Sequence, residues 1–516
     1  MSSVPPTGPE TLEGNPTGVT GTVPATQRTA LASVSLIGAR LVSRGIDFVS
    51  LLILARLLTP ADFGVVAVAM SLILIVEAVF ELPVGQVLLV EKSVNRGLLD
   101  TAFTLSILRG VVLAMLVGAV AWPFSIFYQD PRLLPLICAL ALAPAARGIQ
   151  NPSMIVYDRA LDFKRQISID VTSKVVSCLL SGLLAYFTRS YWALAGGTVL
   201  TPLLSLMMSF ALVPYRPRLT LAEWRLFSGF LGWLSAGQIF SALTWQVDRL
   251  VLGWAMSKPE VGRFTIADNL SALPTQILLN PVVGPLSVSL SQVRDDEQRL
   301  QRAYLKLMSI VAMVGFPALT GLALLADPFV RVALGPAWGN AGEILRWLAL
   351  AAIPGLMWTP FNTLALATKR SWLIFSRQVF DFIVKVPAAI GLILTFGLIG
   401  ACMARGIATT VIGIASLFAA RKITAIPIRA QLQAMARPAL GTGIMTALLF
   451  WPVTHLFTSS GLPLTLAIMA GIGLVGGVIY LSSLGILWKA AGSPDGGETF
   501  LFSSLAHIRS AGRRNP

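Results

Sequence analysis

Charged side chains are scarce in this sequence. Asp, Glu, Lys and Arg make up 12% of its 516 residues, whereas hydrophobic residues make up 55%. The mean hydropathy is +0.76, while soluble domains contain roughly a quarter charged residues. A chain of this length with so little charge cannot cover its apolar surface in water. The composition therefore excludes an ordinary soluble protein and predicts a polytopic membrane protein.

Histidine and cysteine are also rare. The only histidines are His455 and His507, and the three cysteines, Cys138, Cys178 and Cys402, lie in hydrophobic runs at unrelated spacings. Such spacing predicts buried, unreactive thiols, with neither a disulfide framework nor a metal site. Two histidines leave almost nothing for histidine-based catalysis. We therefore predict no catalytic residue, no metal and no cofactor.

The first 28 residues lack any apolar run and are rich in Pro, Gly and Thr. Because no basic stretch followed by a hydrophobic stretch is present, this segment is not a cleaved signal peptide. Its composition predicts a disordered cytoplasmic tail.

Long apolar segments dominate the rest of the chain. A helix of about 20 apolar residues crosses a bilayer core, so the sequence predicts an all-α protein with fourteen transmembrane spans. Their approximate ranges are 30–56, 61–90, 100–126, 131–152, 166–187, 191–213, 228–256, 262–291, 303–326, 341–367, 372–396, 398–420, 438–458 and 463–488.

The loops between these spans differ in charge. Loops that follow even-numbered spans contain most of the Lys and Arg, for example Arg216, Arg218 and Arg225 after the sixth span, and the other loops are nearly bare. Positive loops stay in the cytoplasm, so both termini are predicted to be cytoplasmic. The net charge of +15 follows from this topology, and nucleic acid is not needed as a partner.

An internal repeat relates the two halves of the chain. Asp47, Pro60, Gly64 and Ala69 in the first half have counterparts in Asp248, Pro259, Gly262 and Ala267. Arg165-Gln166 followed by Asp170 and Lys174 has its counterpart in Arg377-Gln378 followed by Asp381 and Lys385. Six spans separate the copies, so they have the same orientation and are related by an axis along the membrane normal.

This repeat predicts two six-helix lobes related by a pseudo-two-fold axis, the architecture of an alternating-access transporter. The predicted organisation is a tail at 1–28, an N-terminal lobe at 29–213, a cytoplasmic loop at 214–227, a C-terminal lobe at 228–420, two additional helices within 421–488 and a cytoplasmic tail at 489–516.

Charges inside the spans are the candidate functional residues, because a charge at mid-bilayer is costly unless it faces a partner or a wet cavity. Arg40, Arg44 and Asp47 lie on one face of the first span and leave it a net positive charge. Such a face needs an anion or another helix, and the planar fork of arginine suits phosphate. The second and third spans add Glu77, Glu81 and Arg109, and the twelfth contains Arg405.

In the second half, Asp248 and Arg249 are adjacent in the seventh span and point about 100° apart, so each needs a different partner. Structural and functional interpretations of this pair stay open. Asp268 lies in the next span. The pairs Asp170–Lys174 and Asp381–Lys385 are spaced four residues apart, so each pair is able simply to neutralise itself on one helix face.

Two stretches carry a family resemblance. ILARLLTPADFGVVAVAMSL and WQVDRLVLGWAMSKPEVGRFTIADNLSALP resemble the two half-signatures of bacterial polysaccharide transporters, the lipid-linked oligosaccharide flippases of the MOP superfamily. Phe264 stands where that family usually has Tyr. The resemblance covers roughly residues 30–420 and implies a MATE-like fold with fourteen spans.

The resemblance also implies a function. Such proteins move an undecaprenyl-diphosphate-linked oligosaccharide across the bacterial inner membrane by alternating access, for exopolysaccharide, O-antigen or capsule biosynthesis. Their central cavity is cationic, and an H⁺ or Na⁺ gradient or the membrane potential drives the cycle. Membrane lipids and a polysaccharide polymerase or export machinery are the implied partners.

The family has no invariant catalytic residue, so site roles rest on the intramembrane charges. We assign diphosphate and sugar binding to Arg40, Arg44, Arg109 and Arg249. We assign ion coupling or charge pairing to Asp47, Asp248, Asp268, Glu77 and Glu81. Asp170, Lys174, Asp381 and Lys385 are assigned to structural pairs.

The sequence leaves four alternative functions to compare with this one. A drug or cation exporter of the same superfamily would favour an acidic cavity, and a lipid II flippase would differ only in its cargo. A membrane polysaccharide polymerase or ligase would place its chemistry in a large outward loop, which the predicted topology lacks. A purely structural membrane partner would not explain paired repeats that contain so many charges.

Overall fold

The computed structural model describes residues 25–82, 84–91, 93–228, 233–457, 462–492 and 497–499. Side chains are described from residue 38 onward, apart from those of 86, 90, 228, 233–235 and 462. Every regular element within these segments is a helix, so the predicted all-α class is confirmed. The described residues leave out residues 1–24, Pro83 and most of the tail after Gly492. Of the predicted N-terminal tail only residues 25–28 are described, and they begin the first helix.

The first half of the chain forms ten helices within this described part. They are α1 (Ala25–Leu57), α2 (Pro60–Val79), α3 (Val84–Val90), α4 (Arg96–Phe127), α5 (Leu133–Leu140), α6 (Leu142–Gly148), α7 (Met154–Arg159), α8 (Lys164–Thr188), α9 (Trp192–Leu212) and α10 (Trp224–Ser228).

The second half contributes ten more in the segments that the structure describes. They are α11 (Trp233–Ala255), α12 (Lys258–Pro274), α13 (Asn280–Gln292), α14 (Glu297–Leu324), α15 (Ala326–Ala333), α16 (Ala341–Ala352), α17 (Trp358–Ala367), α18 (Ser371–Thr424), α19 (Ile428–Leu456) and α20 (Leu462–Ala490). A π-helical turn at Thr275–Leu279 joins α12 to α13, and 3₁₀ turns lie at Pro336–Trp338 and Pro354–Met357.

Ten helical elements in the described residues are long and apolar enough to cross a membrane. One of them, α18, contains 54 residues and breaks at Gly397, where φ is +60°. That break falls between the predicted eleventh and twelfth spans. The predicted count of fourteen is not settled by helix length and hydropathy, and it stays a prediction.

The chain divides into two compact units. The first unit contains the described residues up to Leu54 together with Leu72–Ser235, and the second contains Ala55–Ser71 together with the described residues from Ala236 onward. The segment 55–71 thus belongs with the second half of the chain, although it lies inside the predicted N-terminal lobe. The division of the chain into two six-helix lobes therefore stays a prediction.

Matching caps begin α2 and α12. The Thr59 amide donates to Asp62 Oδ2 at 3.0 Å, and the Ser257 amide donates to Glu260 Oε2 at 3.0 Å. A hydroxyl residue before the helix and a carboxylate three residues later satisfy amides that the first turn leaves free. The repeat seen in the sequence therefore reappears as the same local structure.

The core of the second unit lies around α14, α17, α18 and α19, with Tyr304 and Phe361 fully buried. Trp338 is also fully buried. Its indole N–H donates to the Ala55 carbonyl at 2.8 Å, and its ring packs edge-on against Phe63 at 5.2 Å. These contacts explain why the segment 55–71 packs within this unit.

The three cysteines are free thiols, as the spacing predicts. Cys402 is buried, Cys178 is half-buried and Cys138 is exposed. The expectation of burial was therefore wrong for Cys138, because a hydrophobic run in a membrane helix has an outward face as well as an inward one.

Candidate functional site

Five charged side chains meet inside the second unit. Asp248 and Arg249 come from α11, Asp268 from α12, and Lys385 and Arg405 from the two halves of α18. We call this group the charge network. Its members are far apart in sequence and meet because three helices pack together in one unit.

Asp248 lies at the most buried position of the network, with a side chain that is 1% exposed. Its Oδ2 lies 2.9 Å from Lys385 Nζ and accepts a hydrogen bond from Arg405 Nη2 at 3.0 Å. Lys385 also donates to the Thr244 carbonyl at 2.7 Å. Within the described part of the chain, Asp248 Oδ1 has no hydrogen-bond partner. A buried carboxylate is tolerated only when it is paired, and here two cations share a single oxygen.

Asp268 is the second carboxylate of the network. Its Oδ2 accepts from Arg249 Nη2 at 2.8 Å, and its Oδ1 accepts from Arg405 Nη1. Arg405 therefore bridges both carboxylates with the two ends of its fork, a geometry that a lysine does not reproduce.

Arg249 lies at the open edge of the network. Its side chain is 15% exposed, compared with 9% for Arg405. Besides Asp268, it donates to Gln246 Oε1 at 3.1 Å and to Asn269 Oδ1 at 3.4 Å. Asn269 is exposed, so this corner of the network is the one nearest to the protein surface.

The network carries a formal excess of one positive charge, since three cations face two carboxylates. The neighbouring pair Arg377–Asp381, at 4.0 Å, adds no net charge. The Trp245 ring lies 5.8 Å from Lys385 Nζ and 5.9 Å from the Arg405 guanidinium carbon, so its face also stabilises the cations. The chemistry favoured by such an excess is the binding of an anion.

A smaller cluster lies in the first unit. Lys174 Nζ is 2.9 Å from Asp47 Oδ2 and 3.9 Å from Asp170 Oδ1. Asp170 also accepts from the Ser43 hydroxyl, and Arg44 lies 3.9 Å from Asp47. The Arg44 and Asp47 side chains are 51% and 43% exposed. This cluster is therefore exposed, whereas the charge network is buried.

The two clusters share one pairing. An Asp of the predicted first or seventh span lies 2.9 Å from a Lys of the fifth or eleventh span: Asp47 with Lys174, and Asp248 with Lys385. Lys385 reaches Asp248 on another helix, and for Lys174 the helix neighbour Asp170 is the more distant partner, because helix packing brings another carboxylate closer than one helical turn does. The structural role assigned to the two same-helix pairs stays a prediction.

The remaining predicted residues are dispersed. Glu77 pairs with Arg147 at 2.8 Å, and its carbonyl accepts from Arg109 Nη2 at 3.4 Å. Arg40 and Glu81 are exposed and lie outside both clusters. Nothing in the sequence indicates Arg147 as the partner of Glu77. Arg405 is identified from the sequence as an intramembrane charge but is assigned no role, although a cation among apolar neighbours requires a buried partner.

The chain matches known proteins. The family model described as "Polysaccharide biosynthesis protein" matches residues 53–343. The lipopolysaccharide biosynthesis protein WzxC of Escherichia coli (strain K12) is 25% identical over 378 residues, which cover 72% of this chain and 74% of that protein. The succinoglycan biosynthesis transport protein ExoT of Rhizobium meliloti (strain 1021) is 23% identical over 62% of this chain and 64% of its own length.

Solved structures share the fold. The lipid II flippase MurJ in an inward closed conformation has a TM-score of 0.68 and 14% identity, and the match covers 90% of this chain and 99% of that one. An inward-facing MATE transporter of the MOP superfamily has a TM-score of 0.53 and 14% identity, covering 77% and 98%. The predicted MATE-like membrane fold is thus confirmed. Since the family model matches more than half of its residues, this multi-pass membrane protein belongs to the polysaccharide biosynthesis protein family.

Proposed function

We propose that this protein is a flippase that moves an undecaprenyl-diphosphate-linked oligosaccharide from the cytoplasmic to the outer leaflet of the bacterial inner membrane. The cargo is a repeat unit of a surface polysaccharide, and the protein performs no covalent chemistry. Family membership supports this proposal, together with a relative whose name is that of a transport protein and a fold shared with a lipid II flippase.

The observation that carries the proposal is the positive excess of the charge network. A buried cluster with one more cation than carboxylates is stable in a membrane protein only with a compensating anion nearby. A diphosphate provides that anion in a form that matches guanidinium geometry. Arg249 is the cation best placed for this contact, since it is the most exposed arginine of the network.

The roles proposed for the other charged residues depend on how exposed each side chain is. Arg44, exposed in the first unit, is proposed as a second diphosphate contact, with Arg40 and Arg109 as further cations along the path. Asp248 and Asp268 hold the arginines of the network between transport events. Asp47, Glu77 or Glu81 is proposed to carry a coupling proton or sodium ion, since all three are less buried than Asp248.

Both termini are proposed to lie in the cytoplasm, which follows from the distribution of Lys and Arg among the loops. Membrane lipids surround the helices, and a polysaccharide polymerase or export machinery is proposed to receive the flipped unit.

The test is a gene deletion followed by measurement of surface polysaccharide and of lipid-linked repeat units in each leaflet. Complementation uses the wild type, Arg249→Ala and, as a matched control, Arg302→Ala, which replaces an exposed arginine of α14. We expect repeat units trapped in the inner leaflet without the gene or with Arg249→Ala, and normal export with the control.

Other outcomes would replace the proposal. Normal export combined with increased sensitivity to cationic drugs would indicate an exporter. Accumulation of lipid II would indicate a different cargo. Repeat units that reach the outer leaflet but stay unpolymerised would indicate a polymerase.

A further inference from the structure

A second cationic site lies in the first unit, apart from the charge network. It is a cavity of about 800 Å³ lined by three arginines and two tyrosines: Arg96, Arg159, Arg216, Tyr157 and Tyr215. We call it the arginine cavity. Its volume lies within the range of small-molecule sites. The lining residues come from the start of α4, from α7 and from the segment after α9. All three regions are loops or helix ends predicted to face the cytoplasm.

Backbone carbonyls hold two of the arginines in place. Arg159 Nη1 donates to the carbonyls of Leu88 at 3.2 Å and Glu91 at 2.7 Å, and Arg96 Nη2 donates to the carbonyl of Arg216 at 3.4 Å. A carbonyl orients a guanidinium but does not neutralise it. Arg96 therefore keeps its charge and still has other N–H groups to offer a ligand.

No carboxylate is among the described residues that line the arginine cavity. Asp100, a buried carboxylate that follows the lining residue Leu99, accepts from the Tyr215 hydroxyl at 2.6 Å and from the Arg218 amide at 3.1 Å. Burial and this hydrogen bond raise the pKa of Tyr215 above its ordinary value, so the phenol stays neutral. Asp158 lies on α7 between the lining residues Tyr157 and Arg159, but it does not itself line the cavity.

The lining residue Tyr157 contacts a fourth cation, Arg165, which does not itself line the cavity. The Arg165 guanidinium carbon lies 3.9 Å from the centre of the Tyr157 ring. Its Nη1 is buried and has no hydrogen-bond partner within the described part of the chain. This half-buried guanidinium adds positive potential beside a cavity that already has three arginines.

Apart from Ser153, the rest of the lining is apolar and includes Leu99, Val156 and Val213. A site with cations at one part and aliphatic side chains at another suits an amphiphile with a phosphate headgroup. We propose that the arginine cavity binds the phosphate group of a lipid headgroup that enters from the cytoplasmic leaflet. Two sources share this chemistry: an anionic phospholipid and a lipid-linked diphosphate. The proposal does not depend on flippase activity.

The test measures binding to the purified full-length protein in nanodiscs of phosphatidylcholine. The probes are dihexanoyl phosphatidylglycerol, farnesyl diphosphate and inorganic diphosphate, each titrated by calorimetry at low and high salt. The variant Arg96→Gln/Arg216→Gln removes two guanidiniums from the lining. Arg218→Gln is the matched control, because Arg218 is an exposed arginine two residues further along that does not line the cavity.

We expect the double variant to raise the Kd of the preferred lipid probe by about tenfold or more, because it removes two charged hydrogen-bond donors from the lining. The control is expected to leave the Kd unchanged, and binding is expected to weaken with salt. Tighter binding of phosphatidylglycerol identifies bulk phospholipid as the source, and tighter binding of farnesyl diphosphate identifies the lipid-linked diphosphate.

An unchanged Kd in the double variant would overturn the proposal, and so would binding of inorganic diphosphate without either lipid probe. If the double variant has a lower unfolding temperature than the wild type, Arg96→Lys/Arg216→Lys replaces it. That variant keeps the charge and loses the fork, so a weaker but salt-sensitive affinity supports the site and wild-type affinity contradicts it. The leaflet assay decides the flippase proposal separately.

Discussion

Gly64 and Gly262 face each other at the starts of α2 and α12, backbone against backbone. A Cβ atom on Gly64 would lie 3.2 Å from the Gly262 amide nitrogen, and one on Gly262 would lie 3.1 Å from the Gly64 amide nitrogen. Each would also clash with a carbonyl oxygen, that of Lys258 or Pro60 respectively. The two glycines occupy equivalent positions in the repeat, so their contact is a symmetric crossing that only glycine permits.

We predict that Gly64→Ala and Gly262→Ala each destabilise the protein. The added methyl group meets backbone, which cannot move aside as a flexible side chain does, and overpacking of this kind costs about 1–3 kcal/mol or more. The measurement is the unfolding temperature of the purified protein together with its membrane yield. Gly443→Ala is the control, because a Cβ at that position in α19 has no neighbour within 4 Å and alanine favours a helix. Equal stability of all three variants would contradict the close approach.

The charge network gives a second prediction. Asp248→Asn removes the carboxylate shared by Lys385 and Arg405 and leaves two buried cations without it, a change that costs about 3–5 kcal/mol. Asp47→Asn removes the corresponding carboxylate from the open cluster of the first unit and should cost no more than about 1 kcal/mol. Chemical unfolding of both variants in the same detergent measures the difference. Similar losses of stability would show that the two clusters are equally closed.

A matched double variant tests whether Lys385 is the specific partner of Asp248. Lys385→Met also removes a buried cation, so Asp248→Asn/Lys385→Met should be more stable than the sum of the two single changes predicts. The coupling free energy from this double-mutant cycle should exceed that for Asp381 and Lys385, which are on one helix. Equal coupling for both pairs would restore the pairing that sequence spacing predicts.

The all-α membrane fold could be predicted from the sequence, because the chemistry of a membrane chain is visible in one dimension. Apolar runs locate the helices, and the caps at Thr59 and Ser257 have the local signature of a helix start. The repeat was visible for the same reason. What the sequence could not indicate is that the segment 55–71 packs within the second unit, since Trp338 and Ala55 meet only after folding.

The candidate site was predicted less completely. Spacing along one helix brings out pairs such as Asp381–Lys385, but interhelical distances decide which carboxylate a lysine reaches. Arg405 is separated by 137 residues from Asp268, to which it donates, and by 157 from Asp248. No local pattern connects positions so far apart, so a buried cation indicates only that a partner exists, not which one it is.

The topology provides a fourth prediction. If fourteen spans are present and both termini are cytoplasmic, the turns at Thr59, Ser257 and Gly397 face outward, whereas the segment around Arg216 faces inward. Single cysteines introduced next to each turn, in a variant lacking the three native thiols, should react with a membrane-impermeant reagent in intact spheroplasts only at the first three sites. Labelling near Arg216 before lysis would show that the predicted orientation is reversed.

The last prediction separates charge from geometry at Arg249. Its guanidinium donates at once to Asp268, Gln246 and Asn269, and the ammonium of lysine lacks the planar fork that reaches acceptors on both sides. Because the ion pair with Asp268 survives in Arg249→Lys, this variant should keep most of the stability that Arg249→Ala loses. It should nevertheless export surface polysaccharide about tenfold more slowly, because loss of a bidentate phosphate contact that contributes about 1.4 kcal/mol lowers the rate by that factor. The readout is the rate at which lipid-linked units reach the outer leaflet, normalised to the amount of folded protein. Wild-type export by Arg249→Lys would show that only the positive charge matters at this position, and loss of folding in both variants would make Arg249 a structural partner of Asp268.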